Sequence, residues 1–163
     1  LRYRIRQKLL SLGDDFSILD EHGAVAFRVD GHFLGLTEKL TIYDAANQPV
    51  GLLRKRIVSL RQVYDLYRGN ELFATISKDL LTFFRDGFTV DVPGPNDYSV
   101  SGSFLDHEYS FWRGRTKAAQ VSKAWFSFTD SYGVDVVDGE DALTILATVI
   151  VIDQILHDGD AGA

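Results

Sequence analysis

Ala142-Leu143-Thr144-Ile145-Leu146-Ala147-Thr148-Val149-Ile150-Val151-Ile152-Asp153-Gln154-Ile155-Leu156 is the stretch on which the fold turns. It holds no Gly and no Pro, and wound into a helix it carries apolar side chains on every side of the wheel. A helix that is apolar all round is buried, either in a protein core or in a membrane. Interrupted by Asp153 and Gln154, the run falls short of the ~20 apolar residues that cross a bilayer, which favours a buried core helix. Asp138, Glu140 and Asp141 precede it, where a cap and acidic groups suit the positive end of the helix dipole. Thr144 and Thr148 lie four apart on one face, so their hydroxyls are expected to bond back to helix carbonyls. Asp153 is expected near the edge of whatever encloses the helix.

Such a helix needs apolar walls on all sides, and the rest of the chain supplies them. Short runs of β-branched and aromatic residues recur about every ten residues, separated by turn chemistry. Strands are predicted at 3–10, 16–19, 25–29, 40–43, 50–56, 63–67, 72–77, 81–85, 88–92, 98–104, 108–113, 117–121, 124–129 and 134–137. Asp20-Glu21-His22-Gly23, Arg68-Gly69-Asn70, Asp86-Gly87 and Arg113-Gly114-Arg115 place Gly where hairpins call for positive φ. Pro93-Gly94-Pro95-Asn96-Asp97 marks a longer loop, because its prolines cannot donate to a ladder. The expectation is a mainly β fold: a closed antiparallel β-barrel of about a dozen strands in meander order around a buried C-terminal hydrophobic α-helix, in a single domain over residues 1–163.

Composition narrows the function. The 163 residues carry 17 Lys+Arg against 23 Asp+Glu, with no Cys, which excludes thiolate catalysis, disulfides and sulfur-based zinc sites. Residues 1–70 hold 11 Lys+Arg against 8 acids, whereas residues 71–163 hold 6 against 15. The acidic balance argues against nucleic acid as a partner. After Leu1-Arg2-Tyr3-Arg4-Ile5-Arg6 no apolar signal run follows, so a cytoplasmic location, with peripheral membrane contact, is the expectation.

Lys8-Leu9-Leu10-Ser11-Leu12-Gly13-Asp14-Asp15-Phe16-Ser17-Ile18, Asp20-Glu21-His22-Gly23, Leu40-Thr41-Ile42-Tyr43-Asp44 and Lys55-Arg56-Ile57-Val58-Ser59-Leu60-Arg61-Gln62-Val63-Tyr64-Asp65-Leu66-Tyr67 resemble the LURP-one-related family of the Tubby C-terminal-like superfamily. The resemblance runs essentially end to end. It implies a 12-stranded barrel around a central hydrophobic helix, and it brings fold more than function. Superfamily relatives include phosphoinositide-binding Tubby domains and phospholipid scramblases.

The leading candidate site is the first strand. Period-two geometry sets Arg2, Arg4, Arg6 and Lys8 on one face, roughly 7 Å apart, where they either meet anionic headgroups or form a solvated outer face that deters edge pairing. Arg54 and Arg56 form a second cluster and point opposite to Lys55. A cation turned inward there needs a carboxylate, with Asp153 as one candidate. Asp135, Asp138, Glu140 and Asp141 lack the calcium-loop pattern, and no metal or other cofactor is implied. His22, His32, His107 and His157 are scattered, and no nucleophile elbow or phosphate loop is present. Phe83, Phe84, Trp112, Trp125, Phe126 and Phe128 are expected mainly in the barrel core. The chain is thus expected to be a non-enzymatic module that binds an anionic phospholipid surface or a protein partner. The alternatives are a carrier of a small apolar ligand, which needs an empty lumen, or a scramblase-like protein whose helix leaves the barrel.

Overall fold

The computed structural model describes residues 1–6, 15–32, 39–59, 61–79, 87–126 and 130–161, with the backbone alone at 32 and 157–161. Twelve strands precede one helix: β1 (Arg2–Arg6), β2 (Phe16–Leu19), β3 (Val25–His32), β4 (Lys39–Asp44), β5 (Pro49–Val58), β6 (Arg61–Arg68), β7 (Glu71–Lys78), β8 (Gly87–Asp91), β9 (Tyr98–Ser103), β10 (Glu108–Arg113), β11 (Thr116–Ser122), β12 (Ser131–Val136) and α1 (Ala142–Ala161). Each strand pairs with the next, and β1 closes the barrel against β12 from Arg2↔Asp135 to Arg6↔Ser131. Every pairing is antiparallel. Closure removes the free edges that an open sheet of this length would expose.

An eight-stranded barrel is filled by its own side chains, and diameter grows with strand number. Twelve strands therefore leave a lumen wide enough for a helix of about 10 Å diameter. Helix α1 occupies it. Ile145, Leu146, Ala147, Val149, Ile150, Val151 and Ile152 are all buried, so no face of the helix meets water along this stretch. The wall answers it strand by strand: Ile5, Ile18, Val29, Ile42, Leu53, Leu66, Ile76, Val90, Val100, Phe111, Val121 and Val134 point inward and are essentially inaccessible. Period-two alternation thus feeds one continuous core from every strand.

The strand expectations hold except at three stretches. Positions 81–85 and the end of the first run, including Lys8, lie outside the described residues. The run expected at 124–129 is not a strand where it is described: Lys123–Trp125 turn after β11, and 127–129 lie outside the described residues. The turns at Gly23, Gly69 and Gly114 have φ of 83°, 61° and 62°, as hairpin geometry asks. Gly87 instead opens β8 without positive φ. Thr148 donates to the Thr144 carbonyl at 2.8 Å, whereas Thr144 donates to the Asp141 carboxylate at 2.7 Å, because Asp141 is the cap.

Candidate functional site

Strand β1 turns Tyr3 and Ile5 inward and Arg2, Arg4 and Arg6 outward. The outer face of β12 meets them with Asp135, Gly133 and Ser131 in register. Onto this face the turn after β11 folds Trp125 and Phe126. A Cβ on Gly133 would stand 2.7 Å from Phe126 Cε2 and 2.8 Å from Trp125 Cε3, so only glycine lets the two rings lie this close to the strand. The Arg2 guanidinium sits 4.4 Å over the Trp125 ring and 3.7 Å from Asp135. Arg4 lies 5.9 Å over Phe126. Trp125 and Phe126 are therefore half-buried on the outside of the barrel and not in its core. The same correction applies to Trp112, which faces outward beneath Lys117 at 5.4 Å; Phe83, Phe84 and Phe128 lie outside the described residues.

Beyond Arg4 the first strand parts from its other neighbour. β1 and β2 share a single pair, Arg4↔Leu19. Where they diverge, a groove of about 320 Å³ opens on the barrel wall, lined by Arg4, Arg6 and Asp15 with Phe16, Leu19 and Val25. Asp15 is 3.4 Å from Arg28, and Arg6 is exposed.

The second expected cluster lies elsewhere. Three strands, β2, β3 and β4, separate β5 from β1 around the wall, so the two basic groups do not merge. Arg54 and Arg56 face outward, opposite to Lys55. The outward Arg56 pairs with Asp65, on the neighbouring strand and the same outer face: Nε donates to it at 2.7 Å and a terminal nitrogen at 3.4 Å. Thr75 donates to the same carboxylate at 2.9 Å. The Asp65 hydrogen bond raises the Arg56 pKa further, against a smaller opposing effect of burial.

Two polar clusters anchor the ends of α1. At its start, Asp141 accepts from the Thr144 amide at 3.3 Å and pairs with Arg68, which stacks 4.0 Å over Phe73 and donates to Thr144 Oγ1 at 3.1 Å. Glu140 accepts from Arg113 at 2.6 Å and from the Tyr98 hydroxyl at 2.9 Å. Burial, and then the Glu140 hydrogen bond, push the Tyr98 phenol up to about 12. Near its other end, Asp153 accepts from Tyr132 and meets His107 Nε2 at 3.2 Å. The His107 ring stacks on Tyr132 with centroids 4.2 Å apart. His107 does sit in the β9–β10 turn, with φ of 52°, but its side chain is buried. Sequence reasoning missed this cluster; its one signal was an acid inside an apolar helix.

Among the described residues no group of three or more His, Asp or Glu is placed to hold a metal. Asp135, Glu140 and Asp141 are engaged by arginines. Among the described residues no helix is long and apolar enough to cross a membrane.

The sequence profile described as LURP-one-related matches residues 1–153. An uncharacterized Bacillus subtilis protein, YxjI, is 28% identical over 156 residues, covering 96% of this chain and 94% of that one. Protein LURP-one-related 15 of Arabidopsis thaliana is 26% identical, over 93% of this chain and 78% of its own. An Arabidopsis thaliana protein solved by X-ray crystallography shares the fold with a TM-score of 0.68 at 19% identity, covering 95% of this chain and 91% of that one.

Proposed function

The chain belongs to the LURP-one-related family, and from that premise we propose that it is a non-catalytic barrel module that recognises anionic phospholipid headgroups, phosphoinositides among them, as a cytoplasmic protein peripheral to the membrane. The observation that carries this is the groove beside β1, lined by Arg4 and Arg6 together with an apolar portion that includes Phe16 and Leu19. Two guanidiniums at such a site offer forked, charge-assisted hydrogen bonds to a phosphate. The apolar portion suits the glycerol and first methylenes behind it. Arg2 contributes less, because Asp135 and Trp125 already hold it. Arg54 belongs to a separate basic surface, and Arg56 is largely neutralised by Asp65.

A small-ligand carrier needs an empty lumen, and here the helix fills it. A scramblase-like exit of α1 would expose its whole apolar surface, at a cost of about 1.5–3 kcal/mol for each large side chain.

Co-sedimentation with phosphatidylcholine vesicles, with and without phosphoinositide, at low and physiological salt tests the proposal. Wild type is expected to bind only the anionic vesicles, and Arg4→Gln with Arg6→Gln to weaken binding about tenfold or more, at about 1 kcal/mol per cation. Equal binding by the double variant refutes the groove as the site. No binding by wild type at either salt refutes the lipid reading and leaves a protein partner.

A further inference from the structure

We propose that the end of the barrel where α1 begins carries a second binding site, one for a small neutral polyol: a free monosaccharide or cyclitol held by the Arg113–Glu140 pair and Asn96. A cavity of about 250 Å³ opens there, between the end of β10, the loop that joins β8 to β9 and the approach to α1. It shares no residue with the groove beside β1. Strands β11 and β12 on one side, and β4, β5 and β6 on the other, separate the two around the wall.

The site is pre-formed. The Val92 amide donates to Asp97 Oδ1 at 2.9 Å, which closes the Pro93-Gly94-Pro95-Asn96-Asp97 loop, and Gly94 turns it with φ of 82°. Two prolines and that bond lower the entropy still to be lost when Asn96 engages a ligand. On the helix side, the Glu140 side chain is only 9% exposed. One of its oxygens accepts from Arg113 at 2.6 Å and the other from the Tyr98 hydroxyl at 2.9 Å.

Charge decides what fits. Glu140 and Asp141 are matched by Arg113 and Arg68, so the cluster as a whole is neutral. An anionic ligand would meet two carboxylates, and a cationic one two guanidiniums, each losing its water without gaining a free opposite charge. The Arg68 guanidinium, 4.0 Å over the Phe73 ring, already takes the place that an ammonium would seek. A hydroxyl both donates and accepts. Neighbouring hydroxyls on one ring therefore suit a guanidinium and a carboxylate held side by side. Arg113 is 42% exposed and bonds Glu140 through one terminal nitrogen, which leaves the rest of its donor fork available. A carboxylate accepts more than the two bonds Glu140 receives. The exposed Asn96 amide adds a donor and an acceptor. Phe73, Val92 and the Tyr98 ring give an apolar wall for the C–H face of the ligand. The volume falls short of the ~300–1,000 Å³ of drug-sized sites, which suits one ring and not an oligosaccharide or a nucleotide.

Amide chemical-shift mapping of the isotope-labelled full chain tests this, with D-glucose, D-galactose and myo-inositol as probes. Cyclohexanol, ethylammonium and acetate at equal concentration are the comparators. At least one polyol is expected to move the amides of Asn96, Arg113, Gly139 and Glu140 along a saturating curve, while the comparators leave them in place. Asn96→Ala changes an exposed loop side chain, and Arg113→Lys keeps the charge beside Glu140 but loses the fork. Each is expected to weaken polyol binding about tenfold, with the urea midpoint of Asn96→Ala unaltered. Arg4→Gln with Arg6→Gln is expected to leave polyol binding unchanged, because the groove shares no residue with this cavity. No saturating shift with any of the polyols refutes the site. So does polyol binding that is as tight in both mouth variants as in wild type. An equal response to acetate or ethylammonium refutes neutrality as the basis of selection.

Discussion

The two ends of α1 are fastened to the barrel by opposite means. At the start, Asp141 and Glu140 are met by Arg68 and Arg113, guanidiniums that are 34% and 42% exposed, in a network open to water. Near the other end, Asp153 is sealed between Tyr132 and His107, with both members of the His107–Asp153 pair under a tenth exposed. Close to it the buried Nδ1 of His107 and the Tyr109 hydroxyl have no hydrogen-bond partner among the described residues. Exposed ion pairs are worth little each because water competes for both charges. A buried carboxylate is costly to strand, since nothing replaces the partner it loses. The open end fixes where the helix begins, and the sealed end fixes how deep it sits.

The largest effect is expected between the two ends. Ile150→Asp places an unpaired charge against apolar wall on every side, at about 5 kcal/mol or more, comparable with the whole stability of a domain this size. Loss of the folded protein by circular dichroism is the expected outcome, and a soluble, normally folded variant contradicts the filled lumen. Next comes the comparison itself. Asp153→Ala strands the Tyr132 hydroxyl and His107, costing about 2–4 kcal/mol, whereas Asp141→Ala removes a cap for about 0.5–2 kcal/mol. Urea midpoints measured side by side should rank them in that order, and the reverse order would mean that the open end carries the anchoring.

The smallest effect separates the ends by pH. Tyr98, Tyr109 and Tyr132 all hold their protons more tightly when folded than the ordinary phenol at 10, Tyr98 to about 12, chiefly through burial. Unfolding lets them ionise near pH 10, so the stability tied to the protonated form is complete below pH 10. It is lost as pH rises through the folded values. The urea midpoint should fall between pH 10 and 12, and Tyr98→Phe should make that fall shallower while leaving a decline from the sealed end.

The fold was legible because burial on all sides and period-two alternation leave one arrangement for this helix and these strands. Ala142–Leu156 called for a complete wall, and each strand supplied its inward residue. The barrel's outer face was less legible. Alternation placed Arg2, Arg4 and Arg6 together correctly, but the contacts that hold Arg2, and the rings of Trp125 and Phe126, depend on a turn folding back over Gly133. A run of aromatics reads the same whether it faces a core or lies upon a strand. The pairing of Arg56 with Asp65 was hidden for the same reason: which carboxylate a cation meets is set by register, and register is written in pairings far apart in sequence.

The order of elements along the chain also governs how the molecule is made. All twelve strands precede the helix that fills their lumen, and the first strand must find the last before the wall closes. During synthesis, at about 5–20 residues per second, a complete set of strands exists for a time with nothing at its centre. Its inward faces are then unsatisfied and prone to pair with a neighbouring chain. Such non-local closure is slow to form, so the nascent protein should depend on holdase chaperones until α1 is released.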